Sequence, residues 1–160
     1  MSWNEREDTR KLRQAGKRWV EEQSFWIWAT CQYVDGSLVS DRRCIRDAQY
    51  FFNMLDREVL CRKLIREGIR LPRLVFLETG KSRENTHFHY FIMGYEWEQY
   101  SSIRDASKYF WESRILQARD CVVQDNMSSR DNRSGYPWKE LQKRDDKVLM
   151  TECCYLPSVT

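Results

Sequence analysis

Two rhythms of apolar residues divide this chain into elements. From Asp8 to Gln23, Leu12, Ala15, Trp19 and Val20 fall on one side of a helix in an otherwise polar stretch. Ser24–Tyr33 (SFWIWATCQY) is aromatic and β-branched and stops at Asp35–Gly36, which predicts a strand followed by a turn. Its faces carry Phe25, Ile27, Ala29 and Cys31 on one side and Trp26, Trp28, Thr30 and Gln32 on the other. Ser40 is suited to cap a long helix in which Ile45, Ala48, Phe52, Leu55 and Val59 recur at helical spacing, with Gly68 as its stop signal. Leu71–Gly80, entered through Pro72, and Thr86–Gly94 read as strands joined by the polar Lys81–Asn85, a hairpin with a longer loop. A second helix is expected over Ser102–Ala118, with Ile103, Ala106, Phe110 and Leu116 inward, then a short strand at Cys121–Gln124. Met127–Gly135 is a polar loop, Pro137 can open a short helix through Asp146, and Val148–Thr160 has no pattern that assigns it.

The order strand, helix, hairpin, helix, strand is the ferredoxin-like split βαβ pattern, an α+β fold. It predicts an antiparallel sheet with two helices on one face and the other face left to carry a site. One domain over 1–160 is expected: an N-terminal helix (1–23), a βαββαβ core (24–125) and a C-terminal segment (126–160). The chain shows no internal repeat and no low-complexity tract.

The formal net charge of +3 is too mild to demand a nucleic-acid partner or to exclude one. No CxxC pair links the six cysteines, and the start is charged with no apolar run behind it, so reduced thiols in a cytoplasmic setting are the expectation. No apolar stretch reaches the length of a membrane span, and no Walker-type phosphate loop occurs.

The chemistry concentrates in one tripeptide. The chain has two histidines, His87 and His89, with Phe88 between them. On a strand, residues two apart share a face, so the two imidazoles project together while Phe88 and Tyr90 go to the opposite side. Glu78, at the end of the preceding strand, shares the face of Leu74 and Phe76, and pairing with either His87 or His89 suits the hairpin. A carboxylate and two imidazoles leave coordination positions open, which suits Mg²⁺ or Mn²⁺ acting as a Lewis acid on a phosphate. With no further histidine and no suitably placed cysteine, a closed four-ligand zinc site is disfavoured.

The segment LETGKSRENTHFHYFIMG resembles the His-hydrophobe-His motif of the HUH endonucleases, the rolling-circle replication initiators and relaxases. FWIWATCQY occupies the place of that family's first motif. The resemblance spans residues 24–125 in element order and is specific in the second motif. It implies the HUH nuclease fold, with Glu78, His87 and His89 as ligands of a Mg²⁺ or Mn²⁺ ion. It also implies a tyrosine nucleophile that joins the 5′ end of nicked single-stranded DNA and starts rolling-circle replication of a plasmid, phage or other mobile element. The implied partners are single-stranded DNA or an origin hairpin, and a host helicase. For the nucleophile, Tyr155 in CCYLPSVT ranks first, then Tyr136 in YPWK with Lys139 three residues on as electrostatic helper, then Tyr109. Trp26, Trp28, Arg130 and Arg133 are candidates for the DNA groove. Alternatives are an HUH-like module that binds an origin hairpin without cutting it, and a zinc hydrolase or structural zinc protein on the same scaffold.

Overall fold

The computed structural model describes residues 3–79, 85–126, 132–138 and 148–157. In chain order its elements are α1 (Trp3–Glu22), β1 (Ile27–Tyr33), α2 (Asp41–Val59), α3 (Arg62–Arg66), β2 (Arg73–Glu78), β3 (His87–Ile92), α4 (Gln99–Arg114) and β4 (Ala118–Asp125). The fold is α+β, and the four strands form one sheet in the order β2-β3-β1-β4. Every neighbouring pair is antiparallel. β1 and β2 therefore run parallel with β3 inserted between them, as the order of elements implied.

Strand alternation sorts side chains into two cores. Ile27, Ala29, Cys31, Val75, Leu77, Phe88, Tyr90 and Ile92 face the helices and pack against Cys44, Ala48, Phe51, Phe52 and Leu55 of α2 and Ile103 and Trp111 of α4. Ser40 caps α2 by accepting a bond from Arg43 N at 3.2 Å, satisfying one of the free amides at the helix start. Trp111 anchors α4 by donating its indole N–H to the Gln32 carbonyl at 2.9 Å.

The opposite face is not left open. Val20 of α1, Phe25 and Val148 join Trp28, Leu74, Phe76 and Phe91 in a second apolar cluster. β2 and β3 are consequently buried along their whole length. This corrects the expectation of a bare second face: too many large apolar residues alternate onto that side for water to be tolerated there.

Other differences have local causes. The helix expected from Ser40 to Gly68 is two helices, because Leu60 and Cys61 are extended and Leu60 turns into the core. Gly68, with φ of +80°, closes the short α3 instead. β1 starts at Ile27, not Ser24, so strand alternation does not reach Phe25, which lies in the second cluster. α1 begins before Asp8 and buries Gly16 and Val20, while Leu12 and Ala15 stay exposed. α4 starts at Gln99, whose side chain accepts bonds from Tyr95 N and Glu96 N. It stops at Arg114, which leaves Leu116 in a turn and 78% exposed.

Val148–Tyr155 lies along the free edge of β2. Leu77 N donates to Val148 O (2.8 Å), Met150 N to Val75 O (2.8 Å), and Arg73 exchanges two backbone bonds with Tyr155 (2.7 and 3.0 Å). A 3₁₀ turn at Thr151–Cys153 interrupts the pairing. The segment covers an edge that would otherwise invite association with other strands. A buried ion pair secures it: Arg73 Nη1 donates to Asp56 Oδ1 at 2.8 Å and Arg73 Nε to the Cys153 carbonyl at 2.9 Å. Asp56 Oδ1 also accepts from Leu71 N at 3.0 Å.

Two predictions follow from this packing. Asp56→Ala leaves the buried Arg73 guanidinium without its counter-charge and is expected to cost about 3–5 kcal/mol in urea unfolding. Burial pushes the thiols of Cys44 and Cys153 up to about 12 and that of Cys154 up to about 11. Between the ordinary thiol value of about 8.5 and these values, the folded chain holds protons that the unfolded chain has released. Stability is therefore expected to be intact below about pH 8.5 and to fall steadily as pH rises above it, read as a declining urea midpoint.

Candidate metal centre

Backbone pairing builds the site. β2 and β3 are in register with Glu78 opposite His87 and Phe76 opposite His89. Glu78, His87 and His89 thus share the face away from the helices, and their ligating atoms lie within 4.8 Å of one another. His89 Nε2 is 2.8 Å from Glu78 Oε2, and His87 Nε2 is 3.4 Å from the same oxygen. Of the two pairings the sequence allowed, the strand register realises Glu78 opposite His87, and the closer side-chain contact is the diagonal one to His89. Neighbouring ligands bound about 2.1 Å from one cation stand about 3 Å apart, so this spacing fits a single ion. Among the described residues this is the group of metal-ligating side chains that gathers, and it can hold a metal ion.

Both rings are oriented from behind. His87 Nδ1 lies 2.7 Å from the Asn85 carbonyl, which only accepts, so Nδ1 carries the proton and Nε2 presents a lone pair to the centre. His89 Nδ1 lies 2.8 Å from the Thr30 hydroxyl, which both donates and accepts. Thr30 therefore serves either tautomer of His89: the one that donates from Nε2 to Glu78 and the one whose Nε2 binds a cation. The Trp28 indole stacks on the His89 ring (4.7 Å between centroids, 11° between planes) and fixes its plane. Gly36 brings the preceding loop against the start of β3. Its carbonyl accepts from Thr86 N at 3.2 Å, and a Cβ there would stand 2.6 Å from that nitrogen.

Glu78, His87 and His89 are buried, yet the two histidines sit where the second apolar cluster ends and a groove begins. Trp28, Thr30, Gln32, His87, His89, Val122, Gln124, Arg133 and Tyr136 line it, enclosing about 710 Å³. Tyr136 stands at the rim, 45% exposed, with its ring 5.2 Å from that of His89 and 6.2 Å from Trp28. Arg133, also at the rim, donates through Nη1 to the Asp125 carbonyl.

The structure separates the candidate tyrosines. Tyr136 is beside the imidazoles. Tyr155 is paired with Arg73, at the opposite end of β2 from Glu78, roughly 17 Å along the strand at 3.3 Å per residue. Tyr155, ranked first from the sequence, is therefore not brought to the centre, because its segment is bound to the wrong end of the sheet. Tyr109 is exposed on α4, in the helical layer.

Trp26 does not share the groove with Trp28. It lies before β1, contacts Trp97 at 5.1 Å and packs toward the helical core. Trp28 lines the groove but is 6% exposed, its ring taken up by His89 and Phe91, so it serves as support for the histidine. Arg130 and Lys139 lie outside the described residues. Thr30, Asn85, Gly36, Gln32 and Gln124 were not singled out as site residues. The signal for Thr30, Gln32 and Gln124 was strand alternation, which sets them on the His89 side; Asn85 and Gly36 act through backbone carbonyls that no side-chain pattern reveals.

Comparison with protein-family models, with curated proteins and with solved structures returns no match. No helix among the described residues is long and apolar enough to cross a membrane.

Titration calorimetry with Mn²⁺ is expected to show one site per chain, abolished by His89→Ala. Thr30→Val, which keeps shape and removes the hydroxyl, is expected to weaken binding about tenfold, with Thr30→Ser restoring most of it.

Proposed function

We propose that this chain is an HUH-type, metal-dependent endonuclease on a ferredoxin-like scaffold that nicks and rejoins single-stranded DNA, with Tyr136 as nucleophile. Its biological use would be to start rolling-circle replication of a mobile element. The observation that carries this reading is the convergence of His87 and His89 on Glu78 beneath a groove with Tyr136 at its rim. An isolated metal site would not need a tyrosine there. A closed structural site would not open onto a groove of about 710 Å³.

Glu78, His87 and His89 would hold Mg²⁺ or Mn²⁺, which bound there supplies Lewis-acid polarisation of a phosphate oxygen. The residues of the chain do the rest. The Tyr136 oxygen attacks phosphorus and gives up its phenolic proton. The bond from phosphorus to the 3′ oxygen breaks, and that oxygen takes up a proton. The products are a 5′-phosphotyrosine on the protein and a free 3′-hydroxyl on the DNA. Attack of a 3′-hydroxyl on the phosphotyrosine reverses these steps and joins strands. Arg133, which lines the groove, would meet a phosphate oxygen, and Gln32 and Gln124 would offer donor and acceptor pairs to unstacked bases. Lys139, three residues after Tyr136, completes the YxxK spacing of the family's third motif.

The test is an adduct assay. Labelled single-stranded oligonucleotides with Mn²⁺ are expected to yield an SDS-stable protein–DNA species that maps to Tyr136. It should disappear in Tyr136→Phe and His89→Ala and persist in Tyr155→Phe. DNA binding with no adduct would point to a module that recognises an origin without cutting it. Absence of both binding and adduct would reject the reading altogether.

A further inference from the structure

The segment bearing Tyr136 is fastened to α1. On one side of Tyr136, Ser134 Oγ donates to Glu21 Oε1 at 2.8 Å. On the other side, Arg13 Nε donates to the Trp138 carbonyl at 3.1 Å. The Trp138 indole lies directly on Gly16: a Cβ at that position would stand 2.5 Å from Cε2 and 2.7 Å from Cδ2, with no room for a side chain. Trp19 meets the same indole edge-on at 6.4 Å, and Phe76 of β2 meets it at 5.3 Å. The indole is therefore held between α1 and the sheet. Its buried Nε1 has no hydrogen-bond partner among the described residues, so packing holds it in place.

These contacts bracket Tyr136. Arg13 and Glu21 lie about two helical turns apart on α1, and the residues they hold are two positions before and two after the tyrosine. The phenol ring itself meets His89 and Trp28. The metal ligands depend on a different set of constraints, the β2–β3 register with Thr30 and Asn85.

We propose that α1 is the positioning platform for the nucleophile: Glu21, Arg13 and Gly16 hold residues 134–138 so that Tyr136 stands over the metal centre. This rests on the reading of Tyr136 as the nucleophile. Gly16 is then a positioning residue, kept bare so that Trp138 can seat; as a residue within a helix, glycine has otherwise only disadvantages.

Gly16→Ala is the informative variant, since alanine is the better helix former and any loss must come from Trp138. The chain is labelled with 3-fluorotyrosine and the Tyr136 ¹⁹F signal is assigned with Tyr136→Phe. That signal, shifted by the neighbouring rings, is expected to move in Gly16→Ala, and to a lesser extent in Ser134→Ala. Single-turnover adduct formation at saturating DNA and Mn²⁺ is expected to fall at least tenfold in Gly16→Ala, while the Mn²⁺ Kd stays within twofold of the parent. An unmoved ¹⁹F signal with an unchanged rate overturns the proposal. So does a loss of Mn²⁺ affinity in step with the rate, which marks general loosening. If the parent chain forms no adduct, the nuclease reading fails by itself. The ¹⁹F signal then decides the role of α1 alone: movement in Gly16→Ala supports it, and an unmoved signal overturns it.

Discussion

The antiparallel pairing of β2 with β3 places Glu78 opposite His87, and the candidate metal centre depends on that register. A slip of one residue would send the carboxylate to the helical side and leave the imidazoles alone. What prevents the slip is burial on both faces. Leu74, Phe76 and Phe91 are committed to one apolar cluster, and Val75, Leu77, Phe88 and Tyr90 to the other. Moving either strand by one position would expose one set and force the other into the wrong core. The C-terminal segment adds a third restraint by occupying the outer edge of β2. The ligand geometry is thus inherited from hydrophobic packing, with hydrogen bonds refining it.

The second apolar cluster also shapes the chemistry. It covers the sheet as far as Trp28, Phe76 and Phe91 and gives way to polar residues at His89, Thr30 and Gln32. At that boundary the imidazoles are shielded from bulk water on the apolar side while the groove opens on the other. Polar interactions are stronger in such a setting than in water, which favours the holding of a cation by these groups. Three such groups around one ion, one of them charged, would leave coordination positions open. A four-ligand structural site lacks that vacancy.

Two parts of the molecule then meet at one place. The sheet supplies Glu78, His87 and His89, and residues 132–138 supply Tyr136, with α1 packed against that segment.

Much of this was written in local pattern. The β2–β3 hairpin and the shared face of Glu78, His87 and His89 follow from the two-residue period of a strand, which depends on nothing distant. The inward residues of α2 follow likewise from helical spacing. The placement of the tyrosines did not, because it depends on where a segment without a pattern attaches. Residues 148–155 follow β2 because its edge offers free backbone groups and Asp56 and Arg73 secure it, and that carries Tyr155 to the far end. Trp26 and Trp28 diverge because the strand starts one residue later than their alternation requires, and Gly16 matters only because Trp138, distant in sequence, rests on it. The sequence by itself determined which side chains could share a face of a strand or helix, since that is a matter of backbone period. Which tyrosine stands beside the histidines was decided by tertiary structure alone, since it depends on contacts between segments far apart in the chain.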